Sequence, residues 1–240
     1  FSMKETVTAD PSRLNFKALG RTYKALLSNP QFLSAALVMG GALGALYAQA
    51  TFLPFILMDE VGLTPAQFGA SMLAQSGSFF TASLLVRQLM GQFSADRLVG
   101  PGLVFVALGS LGTLTLLLWP PSFLHVMVPV ATYSFGIAFV MPAMSTAALA
   151  PFGRAAGAAA SMLGFIQMGS GLLVGSLGAL MGNALLAMAT LIPMMGAVAC
   201  VSFLVYRTIQ PRPAAAAPAN TRATCGPKVT APSPVSAPEK

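Results

Sequence analysis

Charge is what this chain has least of. Only 8% of its 240 residues are Asp, Glu, Lys or Arg, where an ordinary soluble domain carries about a quarter. More than half, 55%, are hydrophobic, and the mean hydropathy is +0.75. Most of the chain therefore has to be solvated by lipid. Cysteine occurs twice, too seldom for a disulfide framework. Cys200 lies in an apolar run and Cys225 in a polar tail, so each reads as an unpaired thiol. No metal-ligand cluster, phosphate-cradling loop, CxxC or dinucleotide fingerprint is present, which removes the common metal, nucleotide and redox chemistries. No charged-then-apolar leader is visible, so no secretory signal is expected. Opening on Phe1 reads as a truncated or split product.

What is present is a series of long apolar runs. Asn29-Pro30 reads as a cap and first helical residue. Thr64-Pro65-Ala66-Gln67 reads as a capping box with proline at the first helical position. Six spans are expected, at 31–58, 66–90, 102–119, 123–147, 155–181 and 184–206. Gly100-Pro101-Gly102 is taken as the break that opens the third, and Pro120-Pro121 as the stop that ends it. The spacing predicts a helical hairpin between spans four and five, with a small-residue seam. Gly40, Gly44, Gly171 and Gly175 are spaced for close helix approach in lipid.

The remaining segments flank this core. Residues 1–30 read as a cytoplasmic loop carrying a basic amphipathic helix, with Lys17, Arg21 and Lys24 opposite Phe16, Leu19, Tyr23, Leu26 and Leu27, suited to a membrane surface; a solvated linker helix is the plainer alternative. Residues 31–207 form the membrane domain. Residues 208–240 are rich in proline and alanine without apolar periodicity, and read as a disordered tail.

Net charge is +7, yet its placement argues against nucleic acid. With six spans, all 13 Lys and Arg fall on one side: before span one, between two and three, between four and five, and after six. The opposite loops hold Asp59, Glu60 and His125. The positive-inside rule then places both termini in the cytoplasm.

Chemistry-bearing groups are few. Tyr47, Gln49, Gln75, Tyr133 and Gln167 lie near mid-span in runs one, two, four and five, while runs three and six offer only Ser, Thr and Cys. The fold class expected is therefore all-α and polytopic, with six transmembrane helices as two inverted three-helix repeats around a midplane site. The five polar residues are candidates for a substrate cavity, and the plainer alternative is interhelical hydrogen bonding. Arg87 is the one formally charged side chain inside a span. It either snorkels to the cytoplasmic edge or serves as a cavity cation. No Asp or Glu lies inside a span, so any proton-coupling carboxylate lies outside this chain. A membrane serine protease would need a histidine beside Ser170, and His125 falls near the outer edge of another span. The chain is not expected to be an enzyme or to hold a metal or cofactor.

Two segments, TFLPFILMDEVGLTPAQFG (51–69) and MPAMSTAALAPFGRAAGAAASMLGFIQMGSG (141–171), resemble the Bcr/CflA drug-resistance branch of the major facilitator superfamily. The match looks like the C-terminal half of such a transporter, helices seven to twelve, over residues 12–207. The loop 87–102 falls where the family's second Gly…Asp-Arg…Gly signature would be; Asp96-Arg97 are kept, with Gly91 and Gly100 each one residue out of register. The resemblance implies efflux of drugs or small amphipathic molecules by alternating access in a bacterial inner membrane, driven by the proton gradient. It also implies a missing N-terminal six-helix half, which in the family carries most of the coupling carboxylates. An uptake permease of the same fold, or a non-transporting scaffold or split subunit, are the alternatives.

Overall fold

A computed structural model describes residues 16–209. The tail expected at 208–240, from Gln210 onward, and Cys225 lie outside the described residues. Seven α-helices follow one another: α1 (Phe16–Ser28), α2 (Pro30–Pro54), α3 (Pro65–Leu89), α4 (Ala95–Leu114), α5 (Phe123–Leu149), α6 (Ala156–Leu180) and α7 (Ala184–Ile209). α2 continues into a π-helical stretch, Phe55–Glu60, and tighter 3-10 turns extend α4 at Thr115–Leu117 and join α5 to α6 at Ala150–Ala155.

The helix starts follow from local chemistry. The Asn29 side chain accepts from the amides of Gln31 and Phe32 at 3.0 and 3.1 Å, satisfying donors that have no partner inside α2. At α3 the capping box closes both ways: the Thr64 amide donates to Gln67 Oε1 at 2.9 Å, and the Gln67 amide donates to Thr64 Oγ1 at 3.4 Å. Gly182, at φ +65°, turns α6 into α7 through a conformation that disfavours a side chain.

α2 and α5 form the centre. α2 packs against α5, α6 and α7; α5 packs against α2, α3 and α4; α4 and α7 also touch. The outer helices α3 and α6 are mostly uncovered. Only Ser71, Ala82 and Val86 of α3 are buried, and on α6 only Ala159, Leu163, Gly171, Val174 and Gly178. α1 anchors through the fully buried Leu26. Exposed apolar residues such as Leu108, Phe165, Leu172, Val201 and Leu204 stud the outside, as lipid contact requires.

Among the described residues five stretches are long and apolar enough to cross a membrane: Pro30–Glu60, Ala95–Leu117, Phe123–Gly153, Ala156–Leu180 and Ala184–Ile209. The expected sixth, α3, is 25 residues long but more polar, carrying Gln67, Gln75, Gln88, Arg87 and four serines. Two expectations are corrected. Gly100-Pro101-Gly102 is not a break, because α4 starts at Ala95 and runs through Pro101. Pro101 costs α4 one hydrogen bond in its second turn, a loss membrane helices tolerate where neighbouring helices hold the backbone, and Gly102 seats the helix against Phe139 and Gly136 of α5. The seam of α6 is not with α5 either. Those two helices barely touch, and the glycine face of α6 packs on α2.

Candidate functional site

The α2–α6 seam sets the frame. A Cβ on Gly40 would lie 3.0 Å from Ile166 Cγ2, and one on Gly171 would lie 2.9 Å from Tyr47 Cβ. One on Gly44 would collide with the Ser170 hydroxyl. Gly175 is looser, with only Thr51 nearby at 3.9 Å. The Ser170 hydroxyl donates to the carbonyl of Gly40 at 2.7 Å, and His125 Nε2 pairs with Thr115 Oγ1 at 2.7 Å. Each partner of the hypothetical protease pair is thus engaged elsewhere.

On the other side of α2 the helix α3 docks against α5 by side-chain hydrogen bonds. The Ser78 hydroxyl donates to the carbonyl of Ala131 at 2.7 Å. The Gln75 amide donates to Ser134 Oγ at 3.2 Å. Between α2, α3 and α5 lies a cleft of about 360 Å³, lined by Leu46, Tyr47, Ala50, Gln75, Ser76, Phe79 and Ser134. Its wall combines two aromatic rings, one of them a phenol, with an amide and two serine hydroxyls on an apolar floor. Such a lining suits a ligand with flat apolar surface and a few polar atoms.

The five polar candidates do not converge. Tyr47 and Gln75 line the cleft. Tyr133 is fully buried and donates to the carbonyl of Ala42 at 2.9 Å. Gln49 is also fully buried, and neither amide atom has a hydrogen-bond partner among the described residues. Gln167 is half-buried on α6 and outside the cleft lining. Arg87 is exposed in the last turn of α3, beside a second cleft. Sequence reasoning missed Ser134, Ser76 and Phe79. The available signal was spacing: Ser76 and Phe79 lie one and four residues from Gln75, and Ser134 follows Tyr133. Ser110 is a further surprise, since its buried hydroxyl, facing Gly196, has no partner among the described residues.

These elements have the architecture of a polytopic membrane protein with a lateral cleft among its helices. In comparisons with known proteins, no family model matches the chain. It is similar to the "Multidrug transporter MdfA" of Escherichia coli O6:H1, at 24% identity over 168 residues, covering 70% of this chain and 41% of that protein. The protein of the same description from Edwardsiella ictaluri is 26% identical over 174 residues, with the same coverage. "Multidrug resistance protein MdtM" of Salmonella typhimurium is 26% identical over 145 residues, covering 60% of this chain and 35% of its own. The chain thus spans about two fifths of the length of the curated transporters it resembles.

Proposed function

We propose that this chain is the C-terminal half of a major facilitator drug transporter of the Bcr/CflA type. It supplies one wall of a cavity through which small amphipathic molecules leave the cell. The reading is carried by the cleft among α2, α3 and α5, which puts Tyr47, Phe79 and Gln75 on one apolar surface. The similarity to bacterial multidrug transporters supports it. The helix pairing supports the two-repeat plan: exchanging α2, α3, α4 for α5, α6, α7 leaves the set of main contacts unchanged. In this reading α3 is the sixth span, both termini are cytoplasmic, and the poorly covered faces of α3 and α6 meet the N-terminal half. The proton gradient drives export, with the coupling carboxylates in that other half.

The test is drug accumulation in hypersensitive bacteria expressing the full-length gene product. Gln75→Ala and Tyr47→Ala should each raise intracellular drug and change which compounds are exported. Unchanged resistance to every compound tested would sink the reading. The scaffold alternative draws on the Gln75–Ser134 hydrogen bond, which satisfies one polar group within the fold. Cysteine labelling separates the two: a cavity makes Gln75→Cys and Tyr47→Cys reactive from water, and a scaffold leaves both silent.

A further inference from the structure

The mid-span cleft shares Phe79 with a neighbour. That ring also lines a second cleft of about 500 Å³ between α3 and α5, which reaches the end of α3 bearing Arg87. Val86, Met90, Met141 and Pro142 make it apolar, and Ser83 and Ser145 add hydroxyls. Among the described residues Arg87 is the only charged one lining either cleft. A guanidinium at the margin of a bilayer keeps its head in water or on an anion, and Arg87 is exposed there to either. Its planar fork of donors matches carboxylate, sulfonate and phosphate. An apolar trough with a single cation at one end selects by charge. An anionic head gains a charge-assisted hydrogen bond there, while a cationic one meets like charge.

We propose that the α3–α5 groove binds amphipathic organic anions, with the head on Arg87 and the apolar body running past Phe79 towards Tyr47 and Gln75. The assignment deepens the efflux reading, on which it rests for treating the groove as a cargo path. The binding itself can be measured apart from transport.

The experiment is a fluorescence titration of 1-pyrenebutyrate, and of its uncharged methyl ester, into the full-length gene product in phosphatidylcholine nanodiscs. The acid should bind more tightly than the ester. Arg87→Gln should weaken the acid by about tenfold, the scale of one charge-assisted hydrogen bond at a partly wet site, and leave the ester unchanged. Arg87→Lys should recover part of the loss. Equal affinity of acid and ester, or an Arg87→Gln protein that binds the acid normally, overturns the proposal.

A second arm identifies the source of the anion. If phosphatidylglycerol in the disc weakens acid binding only when Arg87 is present, the resident anion is a lipid headgroup phosphate. If it does not, the ligand is a soluble organic anion; both results support the site. Arg87-dependent binding without any drug export would sink the efflux reading and leave this one standing. Export with Arg87-independent binding of the acid would do the reverse.

Discussion

The hydroxyl of Tyr133 on α5 donates to the main-chain carbonyl of Ala42 on α2 at 2.9 Å, and the whole side chain is buried. The bond ties together the two central helices. Tyr133→Phe keeps the packed ring, and the Ala42 carbonyl stays within the ladder of its own helix. The loss is one interhelical hydrogen bond, about 0.6 kcal/mol and at most about 1.7 in a membrane protein. Tyr133→Ala removes the ring as well and leaves a cavity costing about 3–5 kcal/mol. Unfolding in mixed detergent should therefore separate the two variants widely, with drug export retained by Tyr133→Phe. Equal losses would show that the hydroxyl, and not the ring, holds the centre together.

Close approach on α2 makes a contrast between two glycines. A Cβ on Gly44 would lie 2.9 Å from Ser170 Cβ and 3.2 Å from the amide of Gly171, while one on Gly169 meets nothing within 4 Å. Gly44→Ala should cost about 1–3 kcal/mol by forcing the α2–α6 seam apart. Gly169→Ala should be neutral or gain about 0.5–1 kcal/mol by restricting the unfolded chain. Thermal unfolding of both variants checks this. A tolerated Gly44→Ala would mean that α6 can slide along α2 without loss.

The helices were legible in the sequence because lipid leaves little choice. Long apolar runs must close their backbone hydrogen bonds internally, and caps such as Asn29 and Thr64 mark the starts whatever the helix packs on. Which helices touch was not legible. The glycines of α6 announce a close neighbour without naming it, and chain order suggested α5 where the structure has α2. Pro101 misled for a related reason: it forfeits one hydrogen bond within α4, but the close packing of Gly102 on α5 holds the helix through it, and that packing is not written in chain order. Tyr47 and Gln75 stand out in apolar surroundings, and both line the α2–α3–α5 cleft. Tyr133 and Gln49 stand out equally and point inward. Near mid-span, sequence registers the presence of a polar group and not its azimuth.

The Gln75–Ser134 hydrogen bond, at 3.2 Å, lies in the cleft wall and also helps dock α3. Its two roles differ in scale. A double-mutant cycle with Gln75→Leu and Ser134→Ala should return a coupling of about 0.6 kcal/mol in unfolding, too little to empty the membrane of protein. The Gln75→Leu change in drug selectivity should persist in the Ser134→Ala background. If the selectivity effect vanishes there, the amide acts through docking of α3 and not through contact with cargo.

Gln49 is the sharpest exception to a well-satisfied interior. Its side chain is fully buried and neither Nε2 nor Oε1 has a protein partner among the described residues. A buried polar group without a partner costs about 1–3 kcal/mol. Gln49→Met, of similar length and without the amide, should therefore raise the unfolding midpoint. A lowered midpoint would mean that the amide is hydrogen-bonded in the native protein after all. The same variant carries a second readout. A protein with a transport cycle visits other packings of α2 against its neighbours, and a group costly in one of them is stabilising in another if it finds a partner there. A Gln49→Met protein that is more stable yet exports drug more slowly would place that partner in a different state of the cycle. One that is more stable and equally active would leave the amide without a role in transport.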